Sequence, residues 1–347
     1  MNGTTQNCSR VEEITVYTFV IHVCLIGSLC TLGLIGNTLS LIVFFRYKAR
    51  SVTFYLLRPV AIADNVLLLM TIAMMVLPAV YPALGVMELP NREEARITTW
   101  AWPLGMTAQT VSIWSLILVA LDRYMSVCKP FKAESFRNLK GARIGISVVI
   151  IFSVLYNAPR LLEMRPEEMI DACTNTTRYY LENVLLAFPA YRIGYFIVSY
   201  TVINIIIPLF VLSYMNVHLI RELRKSRKAR CRLRFMSPSL QKEDDLMTKL
   251  SILIVIVFIA CQAPSLLTQI LNVSEDYLDD QTLLFRQYYV PFSNALVVLN
   301  SSLNFVIYCV FCSGFRRALI GMFLHKSLEQ SNCDSNKYSS VVEETNV

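Results

Sequence analysis

Along the chain, long stretches in which almost every position is apolar alternate with short stretches in which charge is concentrated. The apolar runs centre on residues 15–45, 54–81, 99–121, 143–158, 193–220, 246–271 and 287–312, seven in all. A helix with one wet face repeats charge about every 3.6 residues. The third run does not: between Arg96 and Asp122 no residue is charged, a stretch of roughly 25 residues, where about 20 suffice to cross a 30 Å hydrocarbon layer. The pattern predicts an all-α membrane protein, a seven-transmembrane helix bundle over residues 15–312. A short amphipathic eighth helix follows at 313–326, and unstructured chain is expected at 1–14 and 327–347. Pro78, Pro208 and Pro264 interrupt three runs, which membrane helices tolerate because neighbouring groups satisfy the freed carbonyls.

Composition agrees. Of 347 residues 55% are hydrophobic and only 16% charged, with mean hydropathy +0.49, outside ordinary soluble usage. The opening MNGTTQNCSRVEE lacks the basic segment and short apolar core of a cleaved signal peptide, so the first helix is expected to insert by itself.

Charge orients the bundle. Arg46, Lys48 and Arg50 follow the first run; Lys129, Lys132, Arg137, Lys140 and Arg143 follow the third; and RELRKSRKARCRLR, 221–234, follows the fifth. Basic connections stay cytoplasmic, which puts the N-terminus outside. The opposite connections hold eight arginines (10, 92, 96, 160, 165, 178, 192, 286) against 14 acids (12, 13, 88, 93, 94, 163, 167, 168, 171, 182, 275, 276, 279, 280), a net of −6. Four N-x-S/T acceptors, Asn2, Asn7, Asn175 and Asn272, fall on this same side, where glycosylation operates. A fifth match, Asn300, lies inside the seventh run, where no glycan can be attached.

Polar groups inside lipid-spanning segments are costly and mark function. Asp64 is the only carboxylate in the middle of a span; Asn37, Ser112, Asn300, Ser301 and Asn304 accompany it. No nucleophile is set beside a base, and neither metal-ligand spacing nor a phosphate loop is present, so the chain does not read as an enzyme. A transporter or channel predicts paired discontinuous helices or a charged pore, neither of which the sequence displays. No nucleic-acid partner is expected.

Seven motifs occur in order: Gly36–Asn37; A-x-x-D ending at Asp64; Asp122–Arg123–Tyr124; Pro208; C-x-x-P over 261–264; N-S-x-x-N-x-x-x-Y from Asn300 to Tyr308; and Phe315–Arg316. On these the chain resembles the rhodopsin-like G-protein-coupled receptors over nearly its whole length. The resemblance implies a plasma-membrane receptor that couples to a heterotrimeric G protein, with arrestin as a further partner. It makes Arg123 the inner switch, paired at rest with Asp122 and Asp244, with Tyr124, Pro264 and Tyr308 in the same machinery. It also implies an internal sodium site held by Asp64 and Ser112 with Asn300, Ser301 and Asn304, beside Asn37. Without the resemblance these residues read as a snorkelling arginine and a hydrogen-bonded polar core.

The chain departs from the family at several points. The sixth-helix Trp is Gln262, the seventh-helix Pro is Phe305, so a kink is expected to be lost, and the fourth helix has no Trp. The third-helix Cys is replaced by Thr98, which leaves Cys173 without its usual partner; Cys8 is the replacement the sequence offers. The third run has no outer acid to hold an amine, and 286–308 has no lysine for a retinal Schiff base.

The stretches PLGMTAQTVSIW, NAPRLLE and IIIPLFVLSYMNVHLIRELR are most similar to invertebrate FMRFamide-type neuropeptide receptors. That resemblance implies a ligand ending in amidated Arg-Phe, a fit to an acidic mouth, with contacts from Met106, Gln109, Gln262, Ser265, Gln269, Tyr288, Tyr289 and Asn294. A chemosensory receptor for a small molecule on the same fold stays open. The acidic SEDYLDD, 274–280, reads as a ligand-steering cluster or as a soluble loop. The basic run attracts anionic membrane lipid or reflects topology alone. Cys333 is a palmitoylation position, and the terminal ETNV has the form that PDZ domains capture.

Overall fold

Seven apolar helices form the described bundle, with the third at the meeting point of the second, fourth and fifth. The computed structural model describes residues 16–46, 52–83, 91–129, 138–170, 177–232, 253, 256–271 and 279–323. Its helices are α1, Val16–Arg46; α2, Val52–Val80; α3, Asn91–Cys128; α4, Leu139–Asn157; α5, Ala190–Glu222, continuing to Arg232; α6, Ile256–Leu271; α7, Asp280–Phe311; and α8, Ser313–Phe323. All but α6 and α8 are long and apolar enough to span a membrane, α4 being continued by the tight turn Ala158–Leu162. The sixth run, read over 246–271, is described only at Leu253 and from Ile256 on. Asn2, Asn7, Cys8, Cys173, Asn175, Asp244, Asn272, Cys333 and the ETNV terminus lie outside the described residues.

α3 lies against α2, α4 and α5, and α7 closes on α1 and α2. Large side chains such as Leu32, Ile151 and Phe210 are 67%, 59% and 71% exposed. A soluble protein would aggregate through so many outward apolar groups; on a membrane protein they are the lipid-facing surface. Small residues let helices approach. A Cβ on Gly36 of α1 would lie 2.7 Å from the Phe305 Cβ of α7, closer than side-chain atoms pack, so only glycine fits there.

The prolines do not end their helices. Pro78 and Pro208 clash with the carbonyls four residues earlier, and those residues, Met74 and Asn204, sit inside the widened turns Ile72–Val76 and Val202–Ile206, which absorb the misfit. Pro59, Pro103 and Pro291 are also helix-internal. α7 is interrupted at Leu303, two residues before Phe305, between the segments Asp280–Ser302 and Asn304–Phe311, while Leu303 N still donates to the Leu299 carbonyl at 3.0 Å. On either side Ser302 Oγ donates to the Leu29 carbonyl at 2.9 Å and Asn304 turns its amide inward to Asp64 at 2.6 Å.

Between α4 and α5 the chain forms an antiparallel hairpin of β1, Met164–Ile170, and β2, Thr177–Asn183. The hairpin packs on the start of α3. Thr98, where the family's cysteine would stand, lines a cavity of about 170 Å³ with Glu94, Ala95, Tyr179 and Leu181. At the opposite end α8 turns Phe315 and Ala318, three residues apart on one face, into a cluster with Val43, Phe44, Leu57 and Tyr308.

Candidate functional site

In mid-bundle, the fully buried Asp64 carboxylate gathers helices α2, α3 and α7. Ser112 Oγ donates to Oδ1 at 2.8 Å, Asn304 Nδ2 donates to Oδ2 at 2.6 Å, and the Ser301 hydroxyl faces the same group. Asn37 does not touch the carboxylate; its Nδ2 donates to the Ser301 carbonyl at 3.2 Å and ties α1 to α7. Asn300 is half-buried on α7. One carboxylate with two hydroxyls within reach is an oxygen-rich set that fits a hard monovalent cation, while Asn304 as placed offers an N–H.

Towards the hairpin end, the predicted ligand residues divide. Gln109 of α3 donates through Nε2 to Gln262 Oε1 of α6 at 3.3 Å, and the Tyr200 hydroxyl of α5 reaches Gln109 Oε1 at 3.5 Å. Ser265 Oγ donates to the Gln262 carbonyl at 2.7 Å, and Met106 packs with Tyr200 and Ile205. Gln262 thus fills the family's Trp position with a hydrogen-bonding group. Gln269 is buried with Oε1 unpartnered among the described residues. Tyr289 joins α7 to α6 by donating to the Pro264 carbonyl at 2.9 Å. Tyr288 faces α1 instead: its carbonyl accepts from Tyr17 Oη at 2.7 Å and the two rings meet edge to face at 4.7 Å. Asn294 is half-buried on the same helix.

At the α8 end, Asp122 is buried and accepts from Thr53 Oγ1 of α2 at 2.6 Å. Arg123 is exposed, with its charge acting on the Cys312 thiol. Tyr124 packs edge-on against His218 of α5 at 6.3 Å. Tyr308 meets Phe44 edge to face and Phe315 at a tilt, at 5.6 and 5.7 Å. Of the acidic cluster, Asp279 is the residue at which α7 begins, and Thr282 Oγ1 donates to its carboxylate, holding that carboxyl below its ordinary range.

Sequence reasoning missed one feature. Arg160 and Glu163 count in the sequence as solvated outer charges, but they are 1% and 0% exposed and paired at 3.4 Å. The outer net of −6 is unchanged, since one charge of each sign is withdrawn. Burial pushes the Glu163 carboxyl up, and Arg160 beside it pulls it back. Trp102 of α3 and Tyr191 of α5 both donate to it. The available signal was an i, i+3 arginine–glutamate pair at the end of an apolar run, followed by tyrosines at 191, 195 and 200.

Known proteins fit this arrangement. The model of the 7 transmembrane receptor (rhodopsin family) matches residues 36–308. The chain belongs to the rhodopsin family of seven-transmembrane receptors. As a member of that family it is a multi-pass membrane receptor and not an enzyme. The chain is 31% identical over 323 residues to an FMRFamide receptor of Drosophila melanogaster, covering 92% of this chain and 56% of the relative. It is 28% identical over 328 residues to the FMRFamide peptide receptor frpr-18 of Caenorhabditis elegans, covering 92% and 72%. A somatostatin receptor type 5 of Rattus norvegicus is 24% identical over 302 residues, 83% of this chain and 74% of the relative. The chain therefore spans little more than half of the Drosophila receptor's length.

Proposed function

We propose that this receptor sits in the plasma membrane with its N-terminus outside and answers an amidated, cationic neuropeptide of the Arg-Phe-amide type. The observation that carries the reading is the 31% identity, over 92% of the chain, to a protein named for FMRFamide. The acidic surface is its electrostatic counterpart, since a net negative mouth concentrates a cationic peptide. The pocket floor is the Gln109–Gln262–Tyr200 network, whose amides and hydroxyl suit a peptide backbone better than a charged amine does.

Binding at that floor biases two helix arrangements of different ligand affinity. Arg123, exposed at the α8 end, is the group a heterotrimeric G protein engages when α6 moves away. Asp64, Ser112 and Ser301 hold sodium in the resting arrangement, and the ion supplies the positive charge that a buried carboxylate otherwise lacks. Arrestin recognises the same cytoplasmic side, and a PDZ protein takes the ETNV terminus.

The test is calcium release in cells co-expressing the receptor with a promiscuous Gα, challenged with Arg-Phe-amide peptides and their free acids. A response to amides supports the reading. Silence with confirmed surface expression leaves the family standing and removes the peptide.

A further inference from the structure

On the hairpin side of the Gln109–Gln262 floor the Arg160–Glu163 pair sits in a cage whose hydrogen bonding is incomplete in a specific way. Glu163 Oε2 receives three donors, Trp102 Nε1, Arg160 Nη1 and Tyr191 Oη, each at 3.4 Å. Its Oε1, together with Arg160 Nε and Nη2, is buried with no hydrogen-bond partner among the described residues. The guanidinium carbon lies 5.8 Å from the Trp102 ring centroid, 5.3 Å from those of Tyr195 and Phe196, and 5.9 Å from that of Tyr200. The Tyr195 hydroxyl donates to the Tyr156 carbonyl at 2.6 Å, and its oxygen faces the Arg160 guanidinium.

Buried charges kept only for folding saturate their hydrogen bonds, because each unmade one forfeits its hydration. Here the three bonds made are long, and what remains is N–H donors beside a carboxylate oxygen. That set is complementary to a primary carboxamide, whose oxygen accepts from the guanidinium while its nitrogen donates to the carboxylate. A carboxylate in the same place has no N–H to give and sets a negative charge against Glu163. The pair is also connected to the pocket: Tyr200, which flanks the guanidinium, reaches Gln109. Trp102 and Tyr191, which both donate to Glu163, are half-buried, so the pair lies one side chain from the surface.

We propose that Arg160 and Glu163 form the subsite that takes the peptide's terminal carboxamide and rejects the free acid. This rests on the peptide reading above. Glu163 is the discriminating member, since Arg160 alone would favour a carboxylate through paired N–H bonds.

The experiment measures calcium concentration–response curves for Phe-Met-Arg-Phe-amide, its free acid and its N,N-dimethylamide on the full-length receptor, with surface level recorded. On the unaltered receptor the acid and the dimethylamide should each be weaker than the amide by about tenfold or more, the loss expected for a hydrogen bond to a charged group. In Glu163→Gln the amide-to-acid potency ratio should fall by about tenfold or more, with the acid gaining. An unchanged ratio in a variant present at the surface overturns the subsite. Should that variant not reach the surface, the dimethylamide decides on the unaltered receptor, and potency equal to the amide overturns it. Silence of the unaltered receptor to all three overturns the peptide reading and the subsite together, whereas a response with an unchanged ratio overturns the subsite alone.

Discussion

Gln109 of α3 and Gln262 of α6 meet side chain to side chain at 3.3 Å in the middle of the bundle, both buried. Replacing either by Leu strands the other's amide and should lower stability by about 1–3 kcal/mol. The double Gln109→Leu/Gln262→Leu variant strands neither, so its cost should fall short of the sum by about 0.5–3 kcal/mol. Thermal unfolding in detergent reads this, and additive losses would contradict the link between α3 and α6.

Gly36→Ala places its methyl 2.7 Å from the Phe305 Cβ. Either α1 or α7 must shift, and an overpacked core of this kind costs about 1–3 kcal/mol. The unfolding temperature and the surface level should both drop. Because the Phe305 ring carbons are also crowded, Phe305→Leu in the same chain should restore part of the loss. Equal stability of Gly36→Ala and the unaltered chain would refute the close approach.

The bundle and its polar centre were legible because lipid makes the code simple. A span must be apolar, so Asp64, Ser112 and Asn304 stand out, and they do converge. Gln109 and Gln262 are two of the eight ligand contacts that the family resemblance implies, and the structure joins them. Arg160 and Glu163 escaped because a charge next to the end of an apolar run looks the same whether solvent or an aromatic cage surrounds it. The α7 interruption at Leu303 escaped for a related reason: it lies between Ser302 and Asn304, whose side chains bond to other helices, which local sequence does not encode. The α4–α5 hairpin carries no strong alternation across MRPEEMI, so it reads as loop.

Sodium at Asp64 predicts a linkage. Replacing choline by sodium should weaken agonist binding by about fivefold or more, the lower end of ordinary coupling. Asp64→Asn should abolish that effect, since the amide removes the charge while its single oxygen still accepts from one of Ser112 and Asn304. Competition binding in the two salts measures it, and an identical salt response in Asp64→Asn would remove the ion from the account.

The buried ion pair has a stability signature separate from ligand recognition. Arg160→Met alone leaves Glu163 charged and uncompensated at 0% exposure and should cost about 3–5 kcal/mol. The double Arg160→Met/Glu163→Leu variant removes both charges and should recover most of that loss, because two apolar residues need no partners. Unfolding of the purified variants distinguishes the two, and a double variant less stable than the single would show that the cage requires charge.

The central claim is that peptide outside is coupled to a G protein inside through Arg123. Its most direct measurement is nucleotide exchange on a purified heterotrimer mixed with the receptor in lipid nanodiscs, with and without Phe-Met-Arg-Phe-amide. The peptide should accelerate exchange through the unaltered receptor. Arg123→Ala should bind the peptide and leave exchange at its basal rate. Exchange through Arg123→Ala equal to that of the unaltered receptor, or none through either when peptide is bound, would contradict the account.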